Sequence, residues 1–319
     1  MKTFDSYRDI INNALPTIAI PSPVENLRRP IRYALAGSGK RLRPVLALAI
    51  ADAFGADERR ALRSALAIEV FHNFTLVHDD IMDNSDTRHG RPTVWRRWGI
   101  PTAILVGDVM EAMPINMLTD NTDDALTVKV VSEFQAQSQK VIDGQQLDMD
   151  LEGRNNATPR EYIEMVSLKT GALFGLACSI GALIGGAEGL NVEHLRDYGL
   201  LLGIAFQLRD DYLDTYGDPA TFGKPIGGDI LNDKNTLLRI IALNEAPGKM
   251  AAIEDNGLQG EAKIEAVRNV YDSLKLRERG AIMVDDFTQR AIEAARQVFK
   301  GDALDFLIDY ANNLVGRQK

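Results

Sequence analysis

Apolar residues recur at spacings of three and four along nearly the whole chain, and almost no stretch alternates apolar and polar positions with period two. That is the period of α-helices. It is clearest from Leu62 to Met82, in "LRSALAIEVFHNFTLVHDDIM". Before it, "RPVLALAIADAFGA" places Pro44 where a first helical turn tolerates it and Gly55 where a helix stops. Further helices are predicted over 101–119, 122–150, 159–187, 191–216, 232–246, 260–276, 280–300 and 302–316. Turn residues cluster at "SPVEN", "AGSGKRLRP", "TRHGRPT", "EGRNNATP", "YGDPATFGKPIGGD" and "NEAPGK", and none of these is a long flexible linker. The pattern predicts an all-α fold in a single domain over residues 1–319.

Composition narrows the partners more than the fold. With 319 residues, 45% of them hydrophobic, the chain can bury a substantial core. A net charge of -9 disfavours a nucleic-acid surface, so the basic clusters read as local anion sites. The single cysteine, Cys178, lies in "GLACSIGALIGG" and reads as a small buried hydrophobe in a reducing compartment. The start, "MKTFDSYRDIINNALPTIAIP", lacks the basic and then apolar run of a signal peptide, so a cytoplasmic location is expected. Thr170 to Ala187 carries no charge, close to the minimum for crossing a bilayer, but it is rich in Gly and Ala and bracketed by Lys169 and Glu188. A fully buried helix is the expectation there, with no transmembrane segment.

Charge placement is the feature that stability does not explain. Asp79, Asp80, Asp83 and Asp86 crowd into "VHDDIMDNSDTRHGRP", and "LRDDYLDTYGD" repeats the pattern with Asp210, Asp211 and Asp214. Like charges three and four apart on a helix repel by a few tenths of a kcal/mol, and Asp is a poor helix former. In D-D-x-x-D the first and last Asp stand about one turn apart on one face, while the second points about 100° away. Asp79 with Asp83, and Asp210 with Asp214, can therefore each grip divalent ions. All-oxygen ligation suits Mg²⁺, which keeps waters and is held by carboxylates together with substrate phosphates. A single cluster also reads as a solvated acidic helix end. Two of them, each following apolar residues, read as two halves of one site.

Phosphate also needs cations, and turns supply them: Lys40, Arg41 and Arg43 in "GSGKRLRP", Arg88 and Arg91 in "DTRHGRP", and Lys224 in "TFGKP". "GSGK" is not a Walker A loop, since Arg follows Lys40 and helices flank it. Gly37 and Gly39 are instead expected to let backbone approach an anion held by Lys40 and Arg41.

Six segments in order, "GSGKRLRP", "HNFTLVHDDIMDNSDTRHGRPT", "GDVMEAMPINML", "GQQLDMD", "SLKTGALF" and "FQLRDDYLDTYGDPATFGKPIGGDILNDKNT", together resemble the trans-isoprenyl diphosphate synthases, the polyprenyl synthetase family of farnesyl and geranylgeranyl diphosphate synthase type. The resemblance implies a large helical bundle around a central active-site cavity, and condensation of isopentenyl diphosphate with an allylic diphosphate (dimethylallyl, geranyl or farnesyl) in a homodimeric enzyme. It implies that Asp79, Asp83 and Asp210, with Asp211 and Asp214 as lesser candidates, hold Mg²⁺ on the allylic diphosphate. By the same matching Arg88, Lys169, Thr170, Gln207, Lys224 and Lys234 contact that diphosphate, and Lys40, Arg41 and His72 hold isopentenyl diphosphate. Segments near "DPATFGKPIGGD" and the basic tail "VGRQK" are candidates for a lid, the tail reading otherwise as a frayed terminus.

His89 departs from the family pattern, which has a second arginine after the one matching Arg88. Either His89 takes that contact or Arg91 or Arg43 replaces it. Phe74 and Thr75, one turn before Asp79, are candidates for the floor that limits product length, to C15 or, since Thr75 is small, C20; the other reading is that Phe74 packs in the core and another helix sets the floor. The "HDD" at 78–80 imitates metal-dependent phosphohydrolases, but the chain's four histidines are too few for their ligation and leave the second cluster idle. A terpene cyclase would not need the basic turn. A non-catalytic partner subunit would have lost some of these Asp or Lys positions.

Overall fold

The computed structural model describes residues 1–119, 124–217 and 226–316. Among these the regular structure is helical, apart from one pair of two-residue strands. The helices are α1 (Phe4–Ala14), α2 (Glu25–Leu35), α3 (Leu42–Ala53), α4 (Glu58–Met82), α5 (Val94–Trp98), α6 (Ile100–Thr119), α7 (Asp124–Leu151), α8 (Pro159–Val166), α9 (Ala172–Ile184) and α10 (Leu190–Tyr216), then α11 (Gly228–Leu231), α12 (Leu237–Glu245), α13 (Pro247–Asp255), α14 (Gly260–Ser273), α15 (Leu276–Arg296) and α16 (Asp302–Val315). The strands β1 (Thr87–Arg88) and β2 (Arg91–Pro92) pair antiparallel.

Three departures from the sequence pattern have local causes. The helix expected over 232–246 begins only at Leu237, because the Thr236 side chain caps it by accepting from Arg239 N. The helix expected over 159–187 is interrupted by a π-helical turn at Ser167–Gly171. Helix α13 opens on Pro247 at its first position, inside a segment read as a turn.

Contacts divide the chain into two compact units, each drawn from several segments. The first comprises Met1–Ala136, Leu176–Arg196 and Gly301–Phe306. Helix α3 is buried on every face from Pro44 to Ala51. Small residues in and just after α9 explain the close approach: a Cβ on Gly181 would stand 2.5 Å from Ala47 O, and one on Gly185 2.5 Å from Phe54 Cβ. The Gly/Ala-rich run is therefore a packing surface, and Cys178 within it is fully buried. Helix α4 packs against α3 and α6; on it Phe71 is completely buried, edge to face with Phe134 of α7 at 5.2 Å. A side chain of that size contributes about 1.5–3 kcal/mol by burial.

The second unit comprises Gln137–Gly175, Asp197–Lys300 and Leu307–Lys319. Its core gathers Tyr162, Val166, Ile204, Leu237, Ile240, Tyr271 and Leu276 among others. The stretch Pro159–Ile184 is long and apolar enough to cross a membrane, yet 83% of its most apolar window is buried inside the protein, as the buried-helix reading expects.

Candidate functional site

In the first unit, the acidic cluster sits at the C-terminal end of α4. Asp83 is the C-cap that follows Met82, and Asn84 beyond it adopts a left-handed conformation with φ 50°. Ser85 N donates to Asp80 O at 2.9 Å and Asn84 N to Ile81 O at 3.2 Å, the two bonds of a Schellman stop. Carboxylates at the negative pole of a helix cost about 0.3–1 kcal/mol each, so the placement calls for a cation. The three Asp side chains divide as the helical period requires. Asp80 is buried and accepts from Arg88 Nε at 2.6 Å, whereas Asp79 is half-buried and Asp83 exposed. Burial pushes the Asp80 carboxyl up, against the pull of Arg88 and with help from Asp79 and Asp83.

Arg88 lies on a hairpin whose two-residue turn is His89 (φ 50°) and Gly90 (φ 73°), the backbone a type I′ turn demands. Around it the cationic residues take different parts. Arg41 is buried, with its guanidinium on Glu69, on Asn12 Oδ1 at 3.0 Å and on Gly37 O at 2.5 Å. The anion contact expected of Arg41 is therefore not what its side chain makes, because buried Glu69 claims the charge. Gly39 differs from expectation for the same reason: a Cβ there would meet Arg41 Nη1 at 2.9 Å, so the glycine makes room for that guanidinium. Arg43, half-buried, approaches His72 Nε2 at 3.2 Å. Burial first, then Arg43, Arg88, Arg41 and His89, hold the His72 imidazole well below the ordinary histidine range, so it is neutral. Lys40 and His89 are exposed beside this cluster. Arg91 instead faces α2, with Nη1 on Ala36 O at 3.1 Å.

Two further expected residues sit on α4. Phe74 is 8% exposed and packs on Phe71 (5.3 Å) and edge to face on His78 (5.0 Å). Thr75 is half-buried, its hydroxyl donating to His72 O at 2.8 Å. His78 Nε2 lies 3.1 Å from Ile104 O and occupies a notch left by Gly107 of α6, where a Cβ would come within 2.0 Å of it. It is a packing residue.

The second unit repeats the acidic arrangement at the end of α10. Asp211 is buried and takes hydrogen bonds from Tyr162 OH and from Gln207 Nε2 at 2.9 Å, whereas Asp210 is exposed and Asp214 half-buried. Asp211, expected among the metal candidates, is thus turned into the protein like Asp80. Thr170 Oγ1 donates to Gln207 Oε1 at 3.3 Å, so Thr170, Gln207, Asp211 and Tyr162 form one chain of hydrogen bonds. Asp214 accepts from Asp229 N at 2.9 Å. Burial, with Asp211 and Asp214, pushes the Asp229 carboxyl up to about 6 despite Lys234 3.6 Å away. Burial alone would lower Lys234, but Asp211, Asp229, Asp148 and Asp214 outweigh it and raise it. Lys224 lies outside the described residues, as does most of the strip read as a lid.

Lys169 and Thr170 stand on the π turn, which aims them differently from an α-helix. Glycines on both sides hold it: a Cβ on Gly144 of α7 would be 2.1 Å from Lys169 N, and one on Gly203 of α10 would be 2.7 Å from Gly171 Cα. Lys169 Nζ reaches Asp148 Oδ2 at 2.5 Å. The sequence reading missed Asp148, Tyr162, Glu69 and Asp229 as partners. Asp148 lies in "GQQLDMD" and Asp229 at the end of "GKPIGGD", and Glu69 is a lone acid in the apolar run Ala65–Phe71, whereas Tyr162 carries no local signal.

The oxygen-only donors fit a hard divalent cation. Among the described residues no three His, Cys, Asp or Glu side chains close on one point. Pairs of carboxylates are what Mg²⁺ needs when water and substrate phosphate complete its shell.

Comparison with known proteins agrees with this chemistry. Residues 24–274 match the polyprenyl synthetase family. The chain is 38% identical over 97% of its length to a geranylgeranyl pyrophosphate synthase of Geoglobus acetivorans, covering 96% of that protein. It is 35% identical over 92% of its length to a short chain isoprenyl diphosphate synthase of Methanothermobacter thermautotrophicus, covering 91% of it. The fold superposes on a solved geranylgeranyl pyrophosphate synthase with TM-score 0.91 and 36% identity, covering all of both chains. A polyprenyl synthase from Caulobacter crescentus, complexed with calcium and isoprenyl diphosphate, matches with TM-score 0.84 and 28% identity over 99% of this chain and 94% of that one.

Proposed function

Because this chain belongs to the polyprenyl synthetase family, we propose that it joins isopentenyl diphosphate head to tail to an allylic diphosphate and releases a C20 trans-prenyl diphosphate. It is a trans-prenyltransferase of the farnesyl and geranylgeranyl diphosphate synthase type, with short-chain products. The observation behind the residue assignment is the shared arrangement of the two D-D-x-x-D segments, in which Asp80 and Asp211 are turned inward and paired. The other members, Asp79 with Asp83 and Asp210 with Asp214, are all at least partly exposed and would hold Mg²⁺ against a diphosphate. Bound there, the metal supplies charge neutralisation that eases departure of diphosphate from the allylic carbon.

The side chains do the rest. Lys169, Lys224 and Lys234 add positive charge to the leaving diphosphate, and Arg88 does so from its hairpin. Thr170 and Gln207 orient Asp211 and the π turn. Lys40, Arg43, His89 and neutral His72 hold the second diphosphate, with Arg43 taking the place first expected for Arg41. When the allylic C–O bond breaks, the isopentenyl double bond attacks the cation, a new C–C bond forms, and a proton leaves to the released diphosphate.

A C20 end point is supported by small Thr75 on the face of Asp79 and by the names of several relatives; C15 is the outcome if the Phe74 ring stops the chain. A cytoplasmic homodimer is part of the same reading, with Ile104 (43% exposed) and Leu105 (53%) of α6 as the apolar face for a second copy. The test incubates protein, Mg²⁺ and isopentenyl diphosphate with dimethylallyl, geranyl or farnesyl diphosphate and weighs the products. C20 is expected from each primer, and no condensation with any would overturn the reading in favour of a non-catalytic subunit.

A further inference from the structure

The two basic turns of the first unit, Gly37–Arg43 and Arg88–Arg91, are far apart in sequence and carry the same sign of charge, so electrostatics alone drives them apart when no anion lies between them. Tyr33 and Arg91 tie them together. Tyr33, in the last turn of α2, donates its hydroxyl to Pro92 O at 2.7 Å on the hairpin's second strand. The Arg91 guanidinium lies over the Tyr33 ring at 4.0 Å and that of Arg97 at 4.8 Å, with the Trp98 ring edge-on at 5.0 Å. Such cation–π contacts hold a guanidinium to the ring face. Arg91 also donates to Ala36 O at the C-terminal pole of α2, where a cation is favoured. Ala36 immediately precedes the turn that bears Lys40 and Arg43, and Arg91 pairs directly opposite Arg88 in the hairpin.

We propose that Tyr33, with Arg91 as its partner, is a positioning residue that fixes the hairpin of Arg88 and His89 against the turn of Lys40 and Arg43, and so sets affinity for isopentenyl diphosphate without touching it. The role rests on the proposed function for the identity of the ligand. Arg91 is on this view a strut, because its guanidinium is already stacked and bonded to α2.

The experiment compares wild type, Tyr33→Leu, Tyr33→Phe and Arg91→Gln by steady-state kinetics with each substrate varied, by calorimetric titration with isopentenyl diphosphate, and by thermal unfolding. Tyr33→Leu and Arg91→Gln are expected to raise KM for isopentenyl diphosphate about tenfold, with kcat and the allylic KM within about twofold, since misplacing a binding group is costly even when the group is retained. Tyr33→Phe keeps the ring and should restore most of the affinity. Equal rises in both KM values, a fall in kcat alone, or no change in a folded variant would overturn the brace. Should Tyr33→Leu not fold, Arg91→Gln carries the same comparison. A wild type that binds isopentenyl diphosphate without condensing it sinks the proposed function but leaves the brace to be judged by the Kd ratio of the variants; one that binds none sinks both.

Discussion

At the scale of single residues, the two ways of using charge here have opposite consequences for stability. Asp83 closes α4 at its negative pole among like charges, so Asp83→Asn should raise stability by about 0.3–1 kcal/mol. The same change should lower kcat about 10²–10³-fold if Asp83 helps to hold the charge of the leaving diphosphate. Unfolding and turnover measured on one preparation check both signs, and a parallel loss would contradict the assignment. Arg41 is the reverse case. Arg41→Met strands buried Glu69 and should cost about 3–5 kcal/mol, while Arg41→Met with Glu69→Leu should recover most of it. Denaturant titration of the pair decides this. "GSGKRLRP" alone offers three cations in four positions, and nothing in that string tells which one folds inward. The answer depends on Glu69 of α4, which draws the Arg41 guanidinium inward.

At the scale of elements, helical periodicity locates α4, α6, α7 and α10 within a few residues, because apolar residues recur at spacings of three and four between clear turn signals. It also assigned the middle Asp of each cluster to a different face. What it could not see was the π turn at Ser167–Gly171, since one extra residue in a helical turn leaves no mark where Ser167, Lys169 and Thr170 interrupt the apolar pattern. The turn depends on glycines from two other helices. Gly144→Ala would press a methyl group onto Lys169 N and should cost about 1–3 kcal/mol while raising KM for the allylic primer; a folded variant with unchanged allylic KM would separate the turn from substrate binding. Helix α4 offers a second test. Phe74→Leu removes the ring from its contacts with Phe71 and His78 at a cost of about 1–3 kcal/mol. Longer products by mass spectrometry are expected if Phe74 belongs to the floor, and an unchanged distribution would move the floor to another helix.

At the scale of the whole molecule, the described residues offer carboxylates in pairs, and this makes ligand and metal interdependent. Mg²⁺ or diphosphate added singly should shift the unfolding midpoint little. Added together they should raise it by several degrees, as a complex formed only with the native state at about 100 times its Kd stabilises by about 2.7 kcal/mol. An equal shift from Mg²⁺ alone would point to a preformed metal site. The placement of aromatic residues has a separate use. Both tryptophans of the chain, Trp95 and Trp98, lie on the five-residue α5. Trp95 donates to Ser85 O at 3.0 Å beyond the end of α4, and Trp98 stands against Tyr33. The protein therefore carries its own optical probe, confined to the hairpin side of one unit. Its emission spectrum follows events at the basic turns without any label, and a ligand held only around the π turn of the other unit should leave that spectrum unchanged.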